Sequence, residues 1–127
     1  MADDVTVTYN ARGPLFDGSF SREMARAVEE IDQEIGDDMV EAIQSRLDQV
    51  LVNPTGFYRS QIKAHPVGQV VHVDDSNVVY GPWLEGVGKR NRARPGFPGY
   101  HTFRDVFKER ERQAPRIAEH IIARYVD

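Results

Sequence analysis

The sequence predicts an α+β domain in which a long N-terminal helix and a C-terminal helix pack on a small antiparallel β-meander. Apolar residues recur every three or four positions over residues 20–51 and 102–125, which is the spacing of a helix with one buried face. Three β-branched runs lie close together between them, separated by short turns that favour antiparallel neighbours. The 127 residues, 40% hydrophobic and 28% charged, suffice for a single domain, residues 1–127, with one core.

The N-terminal half divides into an arm and a helix. Residues 5–9 alternate with period two and predict a short strand, at a sheet edge or packed on a neighbour, within an arm formed by residues 1–18. The glycine- and proline-containing residues 11–18 predict a loop. A helix over residues 20–51 follows, capped by Ser19 or Ser21. It ends at Asn53-Pro54, because proline disfavours helical geometry in the residue before it.

One position in this helix leaves two interpretations open. Gly36 lies in the middle of the helix and is followed by two aspartates. The apolar stripe continues through it, which favours one helix with a kink, but a break into two helices is the alternative.

The second half predicts strands at 57–65, 69–73 and 78–84. The polar turn at 74–77 is of the kind whose side chains hydrogen-bond to the backbone. Residues 86–101 form the longest irregular segment, a basic loop that we expect to be an interaction site. The final helix spans 102–125, and Pro115 should kink it or begin a second segment there.

Charge is distributed unevenly along the chain. The net charge is −4, yet residues 17–52 hold ten acidic and three basic side chains, whereas residues 86–104 hold five basic and no acidic ones. An acidic helix and a basic loop can complement each other between two copies of the chain, or they can be two solvated surfaces.

Composition also narrows the class of protein. The chain has no cysteine, so neither disulfides nor cysteine zinc sites are possible, which agrees with assembly in a cytoplasm. Its acidic N-terminus does not resemble a secretory signal, and no apolar run is long enough to span a membrane.

Tests for chemical sites are mostly negative. Gly86-Val87-Gly88-Lys89 lacks the glycine and the Ser/Thr of a phosphate-binding loop. His65, His72 and Asp74 could lie near one another, but surface or packing roles fit them better than a metal site does. Glu85 beside Trp83 could act as an acid, yet it has no catalytic partner nearby in sequence. A structural glutamate that accepts backbone N–H groups of the glycine turn, or pairs with a neighbouring arginine, is the preferred interpretation. We therefore expect no enzyme activity, no cofactor and no metal.

Nucleic-acid binding is the alternative function. Arg90, Arg92 and Arg94 alternate close to Phe97 and Tyr100, so charge and base stacking could combine. A pI near 5.5 argues against a dedicated nucleic-acid-binding protein.

Residues 79–88, VYGPWLEGVG, resemble the Tyr-Ala/Gly-Pro-aromatic-Val/Leu-Glu-x-Gly-Thr signature of small head–tail connector proteins of long-tailed phages. These are neck and tail-completion proteins, often described as minor tail components. The entry TGFYRS at residues 55–60 and the order of elements are also similar, and residues 89–104 look like the actinophage branch. Val87-Gly88 stands where Gly-Thr is common, so a role of that threonine does not carry over.

The resemblance implies a structural virion protein of the phage neck, forming a ring, most often six-fold. Its partners would be copies of itself, the head-closure protein and the tail terminator or tail tube, with DNA passing through the lumen and no membrane contact. A ring needs two different, complementary faces on each subunit. Trp83 is either an interface anchor or part of the core. The residues expected at interfaces are Tyr80, Trp83, Glu85, Lys89, Arg90, Arg92, Arg94, Phe97 and Tyr100.

Overall fold

The computed structural model describes residues 5–10, 22–51, 56–67, 70–92 and 96–125. The predicted α+β class is confirmed. The loop at 11–18, the caps Ser19 and Ser21, and Asn53-Pro54 lie outside the described residues. The elements in chain order are β1 (Thr6–Asn10), α1 (Arg22–Val50), α2 (Phe57–Ser60), β2 (Lys63–Val67), β3 (Val70–Asp74), α3 (Gly81–Glu85), a 3-10 turn (Lys89–Arg92), α4 (Thr102–Arg110) and α5 (Ala114–Ile122).

Helix α1 is continuous through Gly36, so the alternative of two helices is wrong. Its buried face carries apolar side chains three or four residues apart, among them Ile31, Ile35 and Met39. Helix α1 contacts β2 and β3. A Cβ at residue 36 would lie 2.9 Å from the Ala64 Cβ and 3.3 Å from Val71 Cγ1. This glycine therefore allows α1 to approach the sheet closely.

The sheet has three antiparallel strands in the order β1-β3-β2. Strand β1 lies at an edge of it, as predicted. The apolar face of β3, Val71 and Val73, is fully buried, while the other face carries polar residues such as His72. The turn after β3 is also as predicted, since the Ser76 and Asn77 N–H groups donate to the carboxylates of Asp74 and Asp75.

The meander prediction is wrong in its first strand. Residues 57–60 form the single turn α2, and the strand begins only at Lys63. The helical turn buries the Tyr58 ring, and its hydroxyl donates to Asp75 Oδ2 at 2.8 Å. Pro66 and Val67, which lie between the first two predicted strands, belong to strand β2. Tertiary burial of Tyr58 thus overrides the β propensity of this segment.

The predicted strand over residues 78–84 is also wrong. Ser76 and Asn77 adopt positive φ values of 58° and 60°, which redirect the chain. The Gly81 N–H then donates to the Val78 carbonyl at 2.9 Å, and Pro82 lies in the first turn of α3. Proline suits that position because its missing N–H would have no helical partner there. The sheet is therefore a β2–β3 hairpin extended by β1.

The C-terminal segment confirms the interruption predicted at Pro115. Helix α4 ends at Arg110, and α5 begins at Ala114 with Pro115 in its first turn. Both helices contact α1, and α4 also contacts β1. Among the described residues, no helix combines the length and apolar character needed to cross a membrane.

Candidate interaction surface

The stretch that resembles the connector signature forms a compact junction between the sheet and α4. Helix α3 ends at Gly86, which has φ 95°. A side chain there would overlap the Pro98 carbonyl oxygen and come within 2.5 Å of the His101 ring. Glycine is therefore required both for its conformation and for space. The Tyr100 N–H donates to the Leu84 carbonyl at 2.7 Å, which fixes the return of the chain toward α4.

Glu85 points inward and caps α4. Its side chain is only 7% exposed, and its two carboxylate oxygens accept the N–H groups of Phe103 and Arg104 at 2.9 and 3.0 Å. The residue before α4, His101, makes no side-chain cap bond, so Glu85 satisfies donors that the helix leaves open. The predicted structural role holds, but the partners belong to α4 and not to the glycine turn. Since it is buried, Glu85 is not itself a contact residue of the free surface.

Burial raises the pKa of Glu85, while the two backbone donors and the nearby His101 and Arg104 act in the opposite direction. With both oxygens engaged by backbone, this geometry supports capping over acid catalysis.

A second buried pair, Tyr58 and Asp75, holds the turn before α3. Burial raises the pKa of Asp75, and burial together with that carboxylate raises the pKa of Tyr58. Gly81 packs directly against the Asp75 carboxylate. Sequence reasoning missed this pair, because seventeen residues separate its members and their spacing carries no signal.

Several aromatic side chains of the junction point outward. Trp83 is 40% exposed and Tyr80 46%, so the interpretation of Trp83 as a core residue is wrong. The rings of Trp83 and Phe97 lie 4.5 Å apart, and those of Phe97 and Tyr100 lie 5.0 Å apart. Val79, 95% exposed, and Val87 flank them. We call Val79, Tyr80, Trp83, Val87, Phe97 and Tyr100 the aromatic surface.

Asn91 fixes the loop beneath the aromatic surface. Its amide nitrogen donates to the Trp83 and Phe97 carbonyls at 2.9 and 2.7 Å, and its oxygen accepts the Gly88 N–H at 2.9 Å. These three bonds hold Phe97 against Trp83. Sequence reasoning missed this role of Asn91, because the residue belongs to no recognised motif. An Asn among glycines and prolines is nevertheless a residue type that commonly bonds to loop backbone.

The basic loop contains a 3-10 turn, Lys89–Arg92, in which Lys89 is exposed. The side chains of Arg90 and Arg92 and the whole of Arg94 lie outside the described part. The expectation that these arginines contact a partner therefore stays a prediction.

The histidines considered for a metal lie on the polar face of the sheet. His65 stands opposite His72, and its Nε2 is 3.4 Å from Asp74 Oδ2. The Thr8 hydroxyl and His72 Nδ1 are 2.9 Å apart. Among the described residues, no three His, Asp or Glu side chains are arranged to hold a metal ion.

Comparisons of the chain with protein-family models, curated proteins and solved structures each found no match. The connector resemblance thus depends on the residues of the chain itself.

Proposed function

We propose that this chain is a structural subunit of a ring in the neck of a long-tailed phage, where it joins the DNA-filled head to the tail. The observation that carries the proposal is that residues 79–88 contain both side chains that hold the junction together and side chains that are exposed on it. Gly81, Glu85 and Gly86 build the junction, while Tyr80 and Trp83 remain exposed on it. A stretch that resembles the connector signature thus presents rigidly held aromatic side chains, the residue type that dominates interface energetics.

Charge supports a contact between unlike faces. Glu29, Glu34, Asp37 and Glu41 are exposed on α1, and Lys89 is exposed beside the aromatic surface. An acidic face on one copy and a basic loop on the next form a heterologous pair, which closes into a ring when the rotation between subunits permits. In the assembled neck, the two open sides of the ring would meet the head-closure protein and the tail terminator or tail tube, with DNA in the lumen.

Charge reversal of the loop tests this proposal. The double variant Arg90→Glu/Arg92→Glu should abolish joining of heads to tails and infectious-particle yield, while its circular dichroism and unfolding midpoint remain those of the parent. Arg112→Glu/Arg116→Glu, with the same charge change at exposed positions on α4–α5, should assemble normally. Full recovery of infectious particles from the loop variant would count against the loop as an interface.

Nucleic-acid binding remains the second candidate, since a lysine beside stacked exposed rings is a combination that suits single-stranded nucleic acid. It predicts that the free protein retards an oligonucleotide at low salt and releases it as salt rises. The absence of retardation at low salt would remove it. The proposal of a ring subunit predicts instead that Trp83→Ala weakens self-association or head–tail joining and has no effect on oligonucleotide mobility.

A further inference from the structure

The two edges of the sheet are protected very differently. Strand β2, at one edge, carries Lys63, His65 and Pro66, and proline and lysine are the residues that prevent an edge from pairing with another strand. Strand β1, at the other edge, reads Thr-Val-Thr-Tyr-Asn and carries neither charge nor proline. Thr6 and Lys63 even occupy the same row, since both stand opposite Asp74. The asymmetry indicates that the β1 edge, unlike the β2 edge, can pair with a further strand.

Backbone groups on the outer side of β1 have no partner in the described part of the chain. An antiparallel edge strand directs about half of its N–H and C=O groups away from its neighbour. Within the described part of the chain, residues 5–10 make no backbone hydrogen bond apart from those to β3.

A groove of about 570 Å³ runs beside this edge, between β1 and α4. Its apolar walls come from both elements and from the end of the junction: Val5, Val7, Val87, Phe103 and Phe107. Residues of α4 and its C-cap Glu111 line the groove, starting at Phe103. This stretch is about 12 Å long at 1.5 Å per residue, which matches about four residues of extended chain.

The charged side chains beside the groove indicate the charge of a segment that would bind there. Arg104 and Lys108 are exposed on its α4 wall, one helical turn apart, and Glu111 lies one turn from Phe107 at the far end. Of these two cations, Arg104 also pairs with Asp105 at 3.0 Å, whereas Lys108 makes no ion pair among the described residues. A segment with an acidic residue near Lys108 would therefore complement the groove.

We propose that the groove binds an extended segment of a different protein, which adds as a fourth strand to the β1 edge. Every second side chain of the segment faces α4: the apolar ones contact Phe103 and Phe107, and one acidic one lies against Lys108. Main-chain bonds to β1 provide affinity, and the groove selects the side chains. This inference stands independently of the proposed neck function, because it depends on the sheet edge and α4 and shares only Val87 with the aromatic surface.

Two labelled heptapeptides, whose second, fourth and sixth side chains share one face of the strand, test the inference by fluorescence anisotropy on the full chain: SVTVTES and SVTVTKS. The acidic probe should bind saturably below about 1 mM, and about fivefold more tightly than the lysine probe, the size of one partly exposed ion pair. Lys108→Glu should reverse this preference. Arg112→Glu, an exposed charge reversal outside the groove, should leave it unchanged. Equal effects of the two variants would overturn the charge assignment, and no saturable binding of either probe would overturn the proposal.

Two further experiments show whether the peptide binds at the β1 edge. Thr6→Lys should prevent binding by placing a charge on the β1 edge, while Lys63→Thr on the opposite edge should not. Alternate amides of residues 5–10 should exchange rapidly with deuterium in the free protein and slowly with the acidic probe bound. Amides of β1 that are already uniformly protected in the free protein would contradict an open edge.

Discussion

Replacing Asp32 with asparagine should stabilise the protein at neutral pH. Asp32 lies on the buried side of α1 and is only 2% exposed, and its Oδ1 has no hydrogen-bond partner among the described residues. Burial, with a smaller contribution from Glu29, raises the pKa of Asp32 from 3.8 to about 6. The ionised carboxylate is therefore costly in the folded state, and Asp32→Asn removes its charge with little change of shape.

The magnitude follows from proton linkage. Because the folded protein holds the Asp32 proton more tightly than the unfolded chain does, the free energy of unfolding decreases as pH rises from about 4 to about 6. A shift of about two pKa units means that ionisation of Asp32 lowers the free energy of unfolding by about 3 kcal/mol above pH 7, relative to strongly acidic pH. At pH 4.5 the loss is about 1 kcal/mol. The stability difference between Asp32→Asn and the parent should thus shift in favour of the variant by about 2 kcal/mol between pH 4.5 and 7.5.

Urea unfolding of both proteins at pH 4.5, 6.0 and 7.5 measures this difference directly, and other titrating groups largely cancel in it. Glu34→Gln, which removes one exposed acid from the same helix, is the matched control for lowering the charge of α1. A difference for Asp32→Asn that stays constant within about 0.5 kcal/mol across this range would refute the reasoning.

Two substitutions test the junction. Glu85→Ala leaves two N–H groups of α4 without acceptors and should cost about 2–3 kcal/mol in urea unfolding, whereas Glu119→Ala on exposed α5 surface should cost little; equal costs would contradict the capping role. Asn91→Ala removes three loop hydrogen bonds and should shift the emission of the single tryptophan to longer wavelength, with a loss of about 1–2 kcal/mol. An unchanged emission spectrum would show that Asn91 does not hold Phe97 against Trp83.

Sequence periodicity predicted the elements whose environment repeats along the chain. The apolar stripe of α1 predicted one helix through Gly36, because the same face of the helix packs on the sheet and on the other helices along most of its length. The period-two alternation of residues 5–9 predicted β1, and polar side chains that bond to the backbone predicted the turn at Asp74 and Asp75. Pro115 marked the boundary between α4 and α5, since proline is tolerated only in the first helical turn.

Prediction failed where contacts distant in sequence determine local conformation. Val78-Val79-Tyr80 has strong β propensity, yet the preceding turn has positive φ values and Pro82 follows, so these residues lead into α3. Tyr58 adopts a helical turn because its hydroxyl meets Asp75. A structural role for Glu85 was expected, but its partners eighteen and nineteen residues away in α4 were not.

Electron microscopy of the virions in whose neck we propose that this chain lies would test the central proposal most directly. We expect a ring at the head–tail junction into which this α+β fold fits, with the aromatic surface and the loop at residues 89–94 buried against neighbouring subunits. A neck without this fold, together with absence of the chain from purified virions by mass spectrometry, would contradict it.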